Sequence, residues 1–356
     1  MRHIAIFVKN LSSGGAEKQS VLLAKTLSEN YHVHYIILDG SKIHQKYLKM
    51  LNEDNRIGVV YFIGNHILRF KQFLNYLKEK KIEAIFSYLT AANAYACIAG
   101  IFHSMRIYTG LRNATLPKSK HLADMLLTNL FATRTIANCY SGKIHFSAKG
   151  FKKQKIEVIP NCFEHIKPYQ NKEVSQCPHI ITVGRFVKQK DYETAIKTLA
   201  EVKKRGGRTH FDIVGYGELE SEVRKWVKQY QIEDRTTIYI NPNNIAELLD
   251  KADIYLSTSL FEGTSNSIME GMNADLPIIC TNVGDNAYLV KEKQNGYLTD
   301  VGNINQLASA ICTLLNNAEL RKEMGALSKQ HLNAHYSADS FRKAYINILE
   351  STKEKE

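Results

Sequence analysis

The chain has 356 residues, 44% hydrophobic and 23% charged, a composition that allows two domains with separate cores and excludes an extended disordered protein. Its six cysteines, Cys97, Cys139, Cys162, Cys177, Cys280 and Cys312, form no C-x-x-C pair, so a zinc framework or disulfide scaffold is not expected and the thiols fit a reducing cytoplasm. The net charge of +12 is unevenly placed: residues 1–160 hold 23 Lys and Arg against 9 Asp and Glu, and residues 161–356 hold 24 against 26. The first half is therefore expected to meet an anionic partner, for which a membrane surface, a phosphorylated acceptor or a nucleic acid would each serve.

In chain order, short apolar runs alternate with amphipathic helical patterns, which predicts an α/β fold with parallel sheets. The opening MRHIAIFVKN has too short an apolar run for a signal peptide and reads as a strand over 3–8. Gly14-Gly15 follow, then a helix over 16–28. Strands at 33–38 and 59–62, a helix over 68–80, a strand at 84–87 and a helix over 91–102 come next. Strands at 106–110, 135–138 and 156–159 complete the half. No apolar run reaches the roughly 20 residues that span a bilayer.

The polar stretch 162–178, with Pro168 and Pro178, marks a boundary, after which the alternation restarts. Strands are expected at 179–183, 210–214, 237–240, 254–257 and 277–280, with helices over 192–205, 219–230, 245–251 and 265–273 between them. The natural reading is two doubly wound domains facing each other across a cleft, with ligands at the carboxyl ends of the strands.

Three segments carry candidate chemistry. Phe261-Glu262-Gly263-Thr264-Ser265-Asn266-Ser267-Ile268-Met269-Glu270-Gly271-Met272 follows a strand and opens a helix. Its cap-forming residues and free N–H groups favour a phosphate, and Glu262 and Glu270 can bracket a nucleotide sugar by accepting from its hydroxyls. A capped helix with two solvated glutamates fits the same letters. Val183-Gly184-Arg185-Phe186-Val187-Lys188-Gln189-Lys190-Asp191 also follows a strand; Arg185 offers a forked donor and Lys190 a point charge for a diphosphate, or the turn is simply basic and solvated. Asn10-Leu11-Ser12-Ser13-Gly14-Gly15-Ala16-Glu17 allows close backbone approach to an anion, but matches neither the ATPase loop nor the dinucleotide fingerprint. Gly215-Tyr216-Gly217-Glu218 reads as a tight turn from strand to helix.

These segments in this order resemble the GT-B-fold glycosyltransferases of family 4, the group 1 glycosyltransferases of bacterial capsule, O-antigen and lipid-linked oligosaccharide synthesis. The resemblance runs over nearly the whole chain: S-G-G-A-E near the start, I-P-N-C at 159–162, V-G-R-F-V-K-Q-K-D, G-Y-G-E, and E-G-T-S-N-S-I-M-E with its Glu-x7-Glu signature. It implies two Rossmann-like domains: residues 1–165 binding the acceptor, 166–335 binding the nucleotide sugar, and a last helix over 336–351, within 336–356, crossing back to the first.

The resemblance also implies roles. Glu262 would hold hydroxyls of the donor sugar and Glu270 the ribose, while Arg185 and Lys190 bind the diphosphate. Gly14, Gly15, Gly184, Gly263 and the amides of Thr264, Ser265, Asn266 and Ser267 would assist. Gly215, Gly217 and Asn241 would lie near the base. Transfer would retain anomeric configuration and need neither metal nor cofactor, charge on the departing diphosphate being met by Arg, Lys and helix dipoles. UDP is favoured over GDP on family frequency, and the sugar moved would be a hexose or N-acetylhexosamine.

One departure stands out. Many relatives carry a histidine after the strand at 106–110; here Gly110-Leu111-Arg112-Asn113 stands there, placing Arg112 or Asn113 on the acceptor side. His121 is the nearest histidine, and a lone helical histidine is more often a packing residue.

The helix at 66–81 combines Leu68, Phe70, Phe73, Leu74 and Leu77 with Arg69, Lys71, Lys78, Lys80 and Lys81, and residues 112–134 form a second basic and apolar stretch with Lys118, Lys120, Leu126, Leu127, Leu130 and Phe131. Core packing accounts for such a stripe; its basic margin also suits an anionic bilayer. The expectation is a cytoplasmic enzyme held peripherally at the inner face of the membrane, acting on a lipid-linked glycan. The rival enzyme is a GT-B-fold UDP-sugar 2-epimerase. A nucleic-acid binder, suggested by the basic charge alone, has no supporting motif, so no nucleic acid is expected as partner.

Overall fold

The computed structural model describes residues 1–12, 14–112, 118–170, 172 and 175–351, the side chains of 118 and 119 apart. The chain divides into two compact units, Met1–Glu164 with the chain from Ala338 onward, and His165–Ser337.

Unit 1 is built on β1 (His3–Val8), β2 (His32–Ile37), β3 (Ile57–Tyr61), β4 (Ala84–Tyr88), β5 (Arg106–Leu111), β6 (Arg134–Ala137) and β7 (Ile156–Val158). Their spatial order is β3-β2-β1-β4-β5-β6-β7 and every neighbouring pair is parallel. Helices α1 (Gly15–Leu27), α2 (Gln45–Asn52), α3 (His66–Glu79), α4 (Leu89–Phe102), α5 (Lys118–Phe131) and α6 (Tyr140–Ala148) connect them. Buried on both faces, the central strands read as continuous apolar runs instead of alternating ones. Along β1, Ile4, Ile6 and Val8 face a core shared with α1, and Ala5 and Phe7 face one shared with α3 and α4. The Phe7 and Phe73 rings stack at 4.5 Å between centroids.

Unit 2 holds β8 (His179–Arg185), β9 (His210–Tyr216), β10 (Thr236–Ile240), β11 (Ile254–Ser257), β12 (Ile278–Thr281) and β13 (Gly296–Thr299), in the order β10-β9-β8-β11-β12-β13, all parallel. Its helices are α7 (Tyr192–Lys204), α8 (Glu220–Gln229), α9 (Ile245–Lys251), α10 (Asn266–Asn273), α11 (Asn286–Leu289), α12 (Ile304–Leu315) and α13 (Ala318–Tyr336). Two doubly wound sheets are thus present.

The last helix, α14, runs Ala338–Ser351, two residues later than expected, because Tyr336 ends α13 and extended Ser337 breaks the run. Phe341, Tyr345 and Leu349 of α14 are buried in the unit 1 core, and the Arg106 guanidinium donates to the Leu349 carbonyl at 2.5 Å. The α3 stripe is core on one side only: Phe73 and Leu77 are buried, while Ile67 and Leu68 are exposed. Helices α2, α5, α6 and α11 to α13 were not predicted as such.

Candidate active site

In unit 2, β8 and β11 lie side by side, and their connections leave in opposite directions, β8 by α7 to β9 and β11 by α10 to β12. This is the topological switch point, where the carboxyl ends of two strands open a crevice. The V-G-R-F-V-K-Q-K-D loop follows β8 and the F-E-G-T-S loop follows β11, so the two motifs meet there.

Backbone and side-chain bonds stitch the two loops together. The Leu260 N–H donates to the Gln189 carbonyl at 2.8 Å, and Gln189 Nε2 donates to the Phe261 carbonyl at 2.8 Å. Thr258 Oγ1 donates to the carbonyls of Lys190 and Asp191 at 3.1 and 2.8 Å. Asp191 then caps α7 from a left-handed conformation, φ 48°, accepting from the Thr194 N–H at 3.3 Å and its hydroxyl at 2.7 Å. Held this way, Lys190 Nζ reaches Glu262 Oε1 at 2.6 Å, and Ser259 Oγ donates to the same oxygen at 2.8 Å. The pair is shielded, with side chains 19% and 9% exposed, so its attraction is weakly screened. Arg185 is exposed at the end of β8, with no side-chain hydrogen bond or ion pair to another described residue.

On the other side, Ser265 caps α10, its hydroxyl accepting from the Ile268 N–H at 3.5 Å and lying 3.3 Å from Ser267 Oγ. Thr264 and Asn266 flank the cap, Gly263 precedes it on the surface, and Glu270 sits half-buried one turn on. The helix presses on β11 because Gly271 has no side chain: a Cβ there would lie 2.7 Å from the Tyr255 ring. Tyr255 OH donates to the Val183 carbonyl at 3.3 Å, and Tyr192 OH to that of Gly184 at 2.9 Å, so two buried phenols brace the end of β8. Burial holds both hydroxyls well above the ordinary phenol value, a hydrogen bond to Ser267 pulling Tyr255 partly back.

Gly215 pairs with Gly184 across β8 and β9, so close that a Cβ on Gly215 would lie 1.9 Å from the Gly184 carbonyl oxygen. Gly217 rests on the Phe186 backbone, and the Asn241 N–H donates to the Gly215 carbonyl at 3.0 Å. All three lie at the carboxyl ends of β9 and β10. Sequence reasoning missed Ser259, the two phenols and Gly284, whose φ of +55° seats it on the Glu262 carbonyl. The N-V-G-D turn after β12 was the available signal for Gly284.

The unit 1 candidates stand differently. Gly14 caps α1, but the Glu17 carboxylate folds back over it, taking a 2.5 Å hydrogen bond from Ser12. An acid of the chain itself therefore lies where an anion was expected; Gly15 beside it is open. Arg112 is a clamp: its guanidinium donates to Asn161 Oδ1 at 2.8 Å and Tyr345 OH at 3.1 Å, over the Tyr88 ring at 4.7 Å. Burial pulls its pKa down and the two tyrosines push it up, the balance being upward, so it stays charged. His121 packs between Phe146 and Phe151 with its Nε2 on the Lys149 carbonyl at 3.1 Å, which makes it a packing residue in place of an acceptor base. Asn113 lies outside the described residues. Among the described residues, no group of three or more His, Cys, Asp and Glu is disposed to hold a metal ion, and no helix is long and apolar enough to cross a membrane.

Residues 165–331 match the family model described as Glycosyl transferases group 1. An uncharacterized glycosyltransferase of Haemophilus influenzae is 24% identical over 98% of this chain and all of its own length. A Campylobacter jejuni protein, N-acetylgalactosamine-N,N'-diacetylbacillosaminyl-diphospho-undecaprenol 4-alpha-N-acetylgalactosaminyltransferase, is 23% identical over the same shares. Among solved structures, Anabaena HepE in complex with UDP superposes with a TM-score of 0.80 at 17% identity, covering 99% of this chain and 100% of that one. The lipopolysaccharide outer core galactosyltransferase WaaB does so with 0.80 at 18%, covering 98% and 99%. The fold is therefore GT-B.

Proposed function

From the match of residues 165–331 to the group 1 glycosyl transferases, we propose that the chain is an enzyme of this type and moves a hexose or N-acetylhexosamine from a UDP-sugar to a hydroxyl of a lipid-linked glycan, with retention. The observation that carries this is the shielded Lys190–Glu262 pair at the switch point of unit 2, beside exposed Arg185 and the capped start of α10. A diphosphate entering there draws the Lys190 ammonium and meets the Arg185 fork, and the freed Glu262 oxygen accepts from the sugar's hydroxyls. Glu270, deeper on α10, takes the ribose. The bond from the anomeric carbon to the diphosphate oxygen breaks, and the acceptor oxygen bonds the same carbon on the same face. The acceptor's proton passes to a phosphate oxygen of the leaving UDP, so neither a histidine nor a metal is required. Arg185, Lys190 and the α10 N–H groups stabilise the charge on UDP, the kind of preorganised electrostatics that supplies much of a rate enhancement.

A lipid-linked acceptor is supported by the diphospho-undecaprenol in the name of the Campylobacter jejuni relative, and UDP by the ligand of the HepE structure. The enzyme works peripherally at the inner face of the cell membrane. The test is incubation with UDP-hexoses and UDP-N-acetylhexosamines and a polyprenyl-diphosphate-linked glycan, with the new linkage assigned by NMR. An α linkage from an α donor is expected. A free epimerised sugar with UDP and no transfer would mean the epimerase instead.

A further inference from the structure

Helix α5 packs Met125 and Leu127 inward, yet its most deeply buried side chains are polar and most of its leucines face out. It buries polar Asp124 and Thr128, which sit in a network with Asn93: Asn93 Nδ2 donates to Asp124 Oδ1 at 3.3 Å, and Thr128 Oγ1 to the same oxygen at 3.4 Å. To solvent it presents Leu122, Leu126 and Leu130, spaced four apart on one stripe, with Phe131 beside the last, 39–68% exposed. Neighbouring α4 packs on α5, and both run back from carboxyl to amino ends of parallel strands, so their last turns lie at the same end. There α4 adds exposed Ile98, Ile101 and Phe102. Seven large apolar side chains on two adjacent helices exceed the scattered exposure usual for a soluble surface.

Its border is cationic. The Lys149–Lys153 segment is tied to the flank of α5, His121 Nε2 meeting the Lys149 carbonyl at 3.1 Å and Asn129 Nδ2 donating to the Gly150 carbonyl at 2.9 Å. Lys149, Lys152 and Lys153 are exposed along it, as is Lys120 in the first turn of α5. Between residues 84 and 156 the sequence has ten Lys and Arg and a single acid, Asp124, which is buried. A protein partner of mixed charge would not need such a one-signed margin. An anionic bilayer does, because leucines enter the acyl boundary while lysines stay at the headgroups.

We propose that the α4–α5 face is where this chain docks on an anionic phospholipid bilayer, the α5 leucines inserting and Lys120, Lys149, Lys152 and Lys153 binding the headgroups. This rests on, and deepens, the reading of a lipid-linked acceptor.

The test is flotation of the full chain with phosphatidylcholine vesicles with and without phosphatidylglycerol, at low and high salt. The expected result is binding only to the phosphatidylglycerol vesicles, weakened by salt, and reduced at least about tenfold in Leu126→Glu/Leu130→Glu. Ile67→Glu, at an exposed position of α3, should bind like the unaltered chain. UDP-induced thermal stabilisation, measured in parallel, should survive in all variants and shows that they are folded. Equal binding by Leu126→Glu/Leu130→Glu, loss in Ile67→Glu alone, or no binding to either vesicle would overturn the proposal. So would a shift from dimer to monomer in Leu126→Glu/Leu130→Glu without vesicle binding, since the face would then join two copies. Absence of UDP stabilisation with intact vesicle binding would sink the donor reading and leave this one standing.

Discussion

At the scale of residues, the site turns on one ion pair. Replacing Lys190 by Ala strips a shielded carboxylate of its cation, which should cost roughly 2–4 kcal/mol, read as a lower urea midpoint. Lys190→Ala/Glu262→Ala should recover part of that loss, because no uncompensated charge remains, while turnover stays at least about 100-fold down in every variant. Unit 1 holds a titrating group of its own. The His34 ring lies 2.9 Å from His3 Nδ1 and 2.8 Å from Tyr76 OH, and burial, then His3, Lys80 and His32, hold it at about 4. The folded state thus disfavours the protonated ring. This contribution is complete above the unfolded value near 6.5 and is lost as pH falls from there toward 4. Since the ring keeps contact with water, the effect should be roughly 1–2 kcal/mol, seen as a steeper acid-side drop of the melting temperature than in His34→Gln. That Glu262 and Lys190 each lie in a loop after a strand of one parallel sheet was legible from their motifs. Their direct pairing was not, since it depends on how Thr258 and Gln189 lace two loops 70 residues apart.

Elements were legible where burial was one-sided in the expected sense. The strands of both sheets other than β13 announce themselves as short apolar runs, because strands inside a parallel sheet are covered on both faces; edge strand β13, Gly296–Thr299, was missed. Helix α5 did not, since its most deeply buried side chains are Asp124 and Thr128, Leu127 is only half-buried, and Leu122, Leu126 and Leu130 face out. Periodicity reports which face is apolar, not which face is inside. Similarly, the α3 stripe suggested a bilayer contact, yet Phe73 and Leu77 in it are core. The start of α7 offers a direct test of local chemistry. Asp191→Ala loses the cap and keeps the left-handed backbone, and should cost about 1–2 kcal/mol. Asp191→Gly loses only the cap and should cost less by several tenths. Chemical denaturation of the two variants decides it: equal costs would mean that the φ of 48° carries no strain.

At the scale of the whole molecule, the chain leaves unit 1 at Glu164 and returns to it with α14. Nothing in the periodicity of the last helix says where it packs; that expectation came from resemblance alone. In the structure it lends Phe341, Tyr345 and Leu349 to the unit 1 core, and Tyr345 to the Arg112 clamp. Losing three buried side chains of this size costs roughly 2–5 kcal/mol each, against a typical total of 5–15 kcal/mol for a domain. Ending the chain at Ser337 should therefore leave unit 1 open to limited proteolysis while residues 165–337 resist. A protected unit 1 would show that α14 is dispensable. The charge division between the halves, by contrast, needed only counting, and part of the surplus lies in the exposed Lys120, Lys149, Lys152 and Lys153 beside α5.

The central claim is that the crevice between β8 and β11 takes a nucleoside diphosphate through Arg185 and Lys190. Calorimetric titration of UDP into the full chain tests it most directly. Saturable binding is predicted, weakened at least tenfold in Arg185→Ala and in Lys190→Ala, with both variants still folded by circular dichroism. Undiminished binding in the two variants, or no binding of UDP to the unaltered chain, would contradict it.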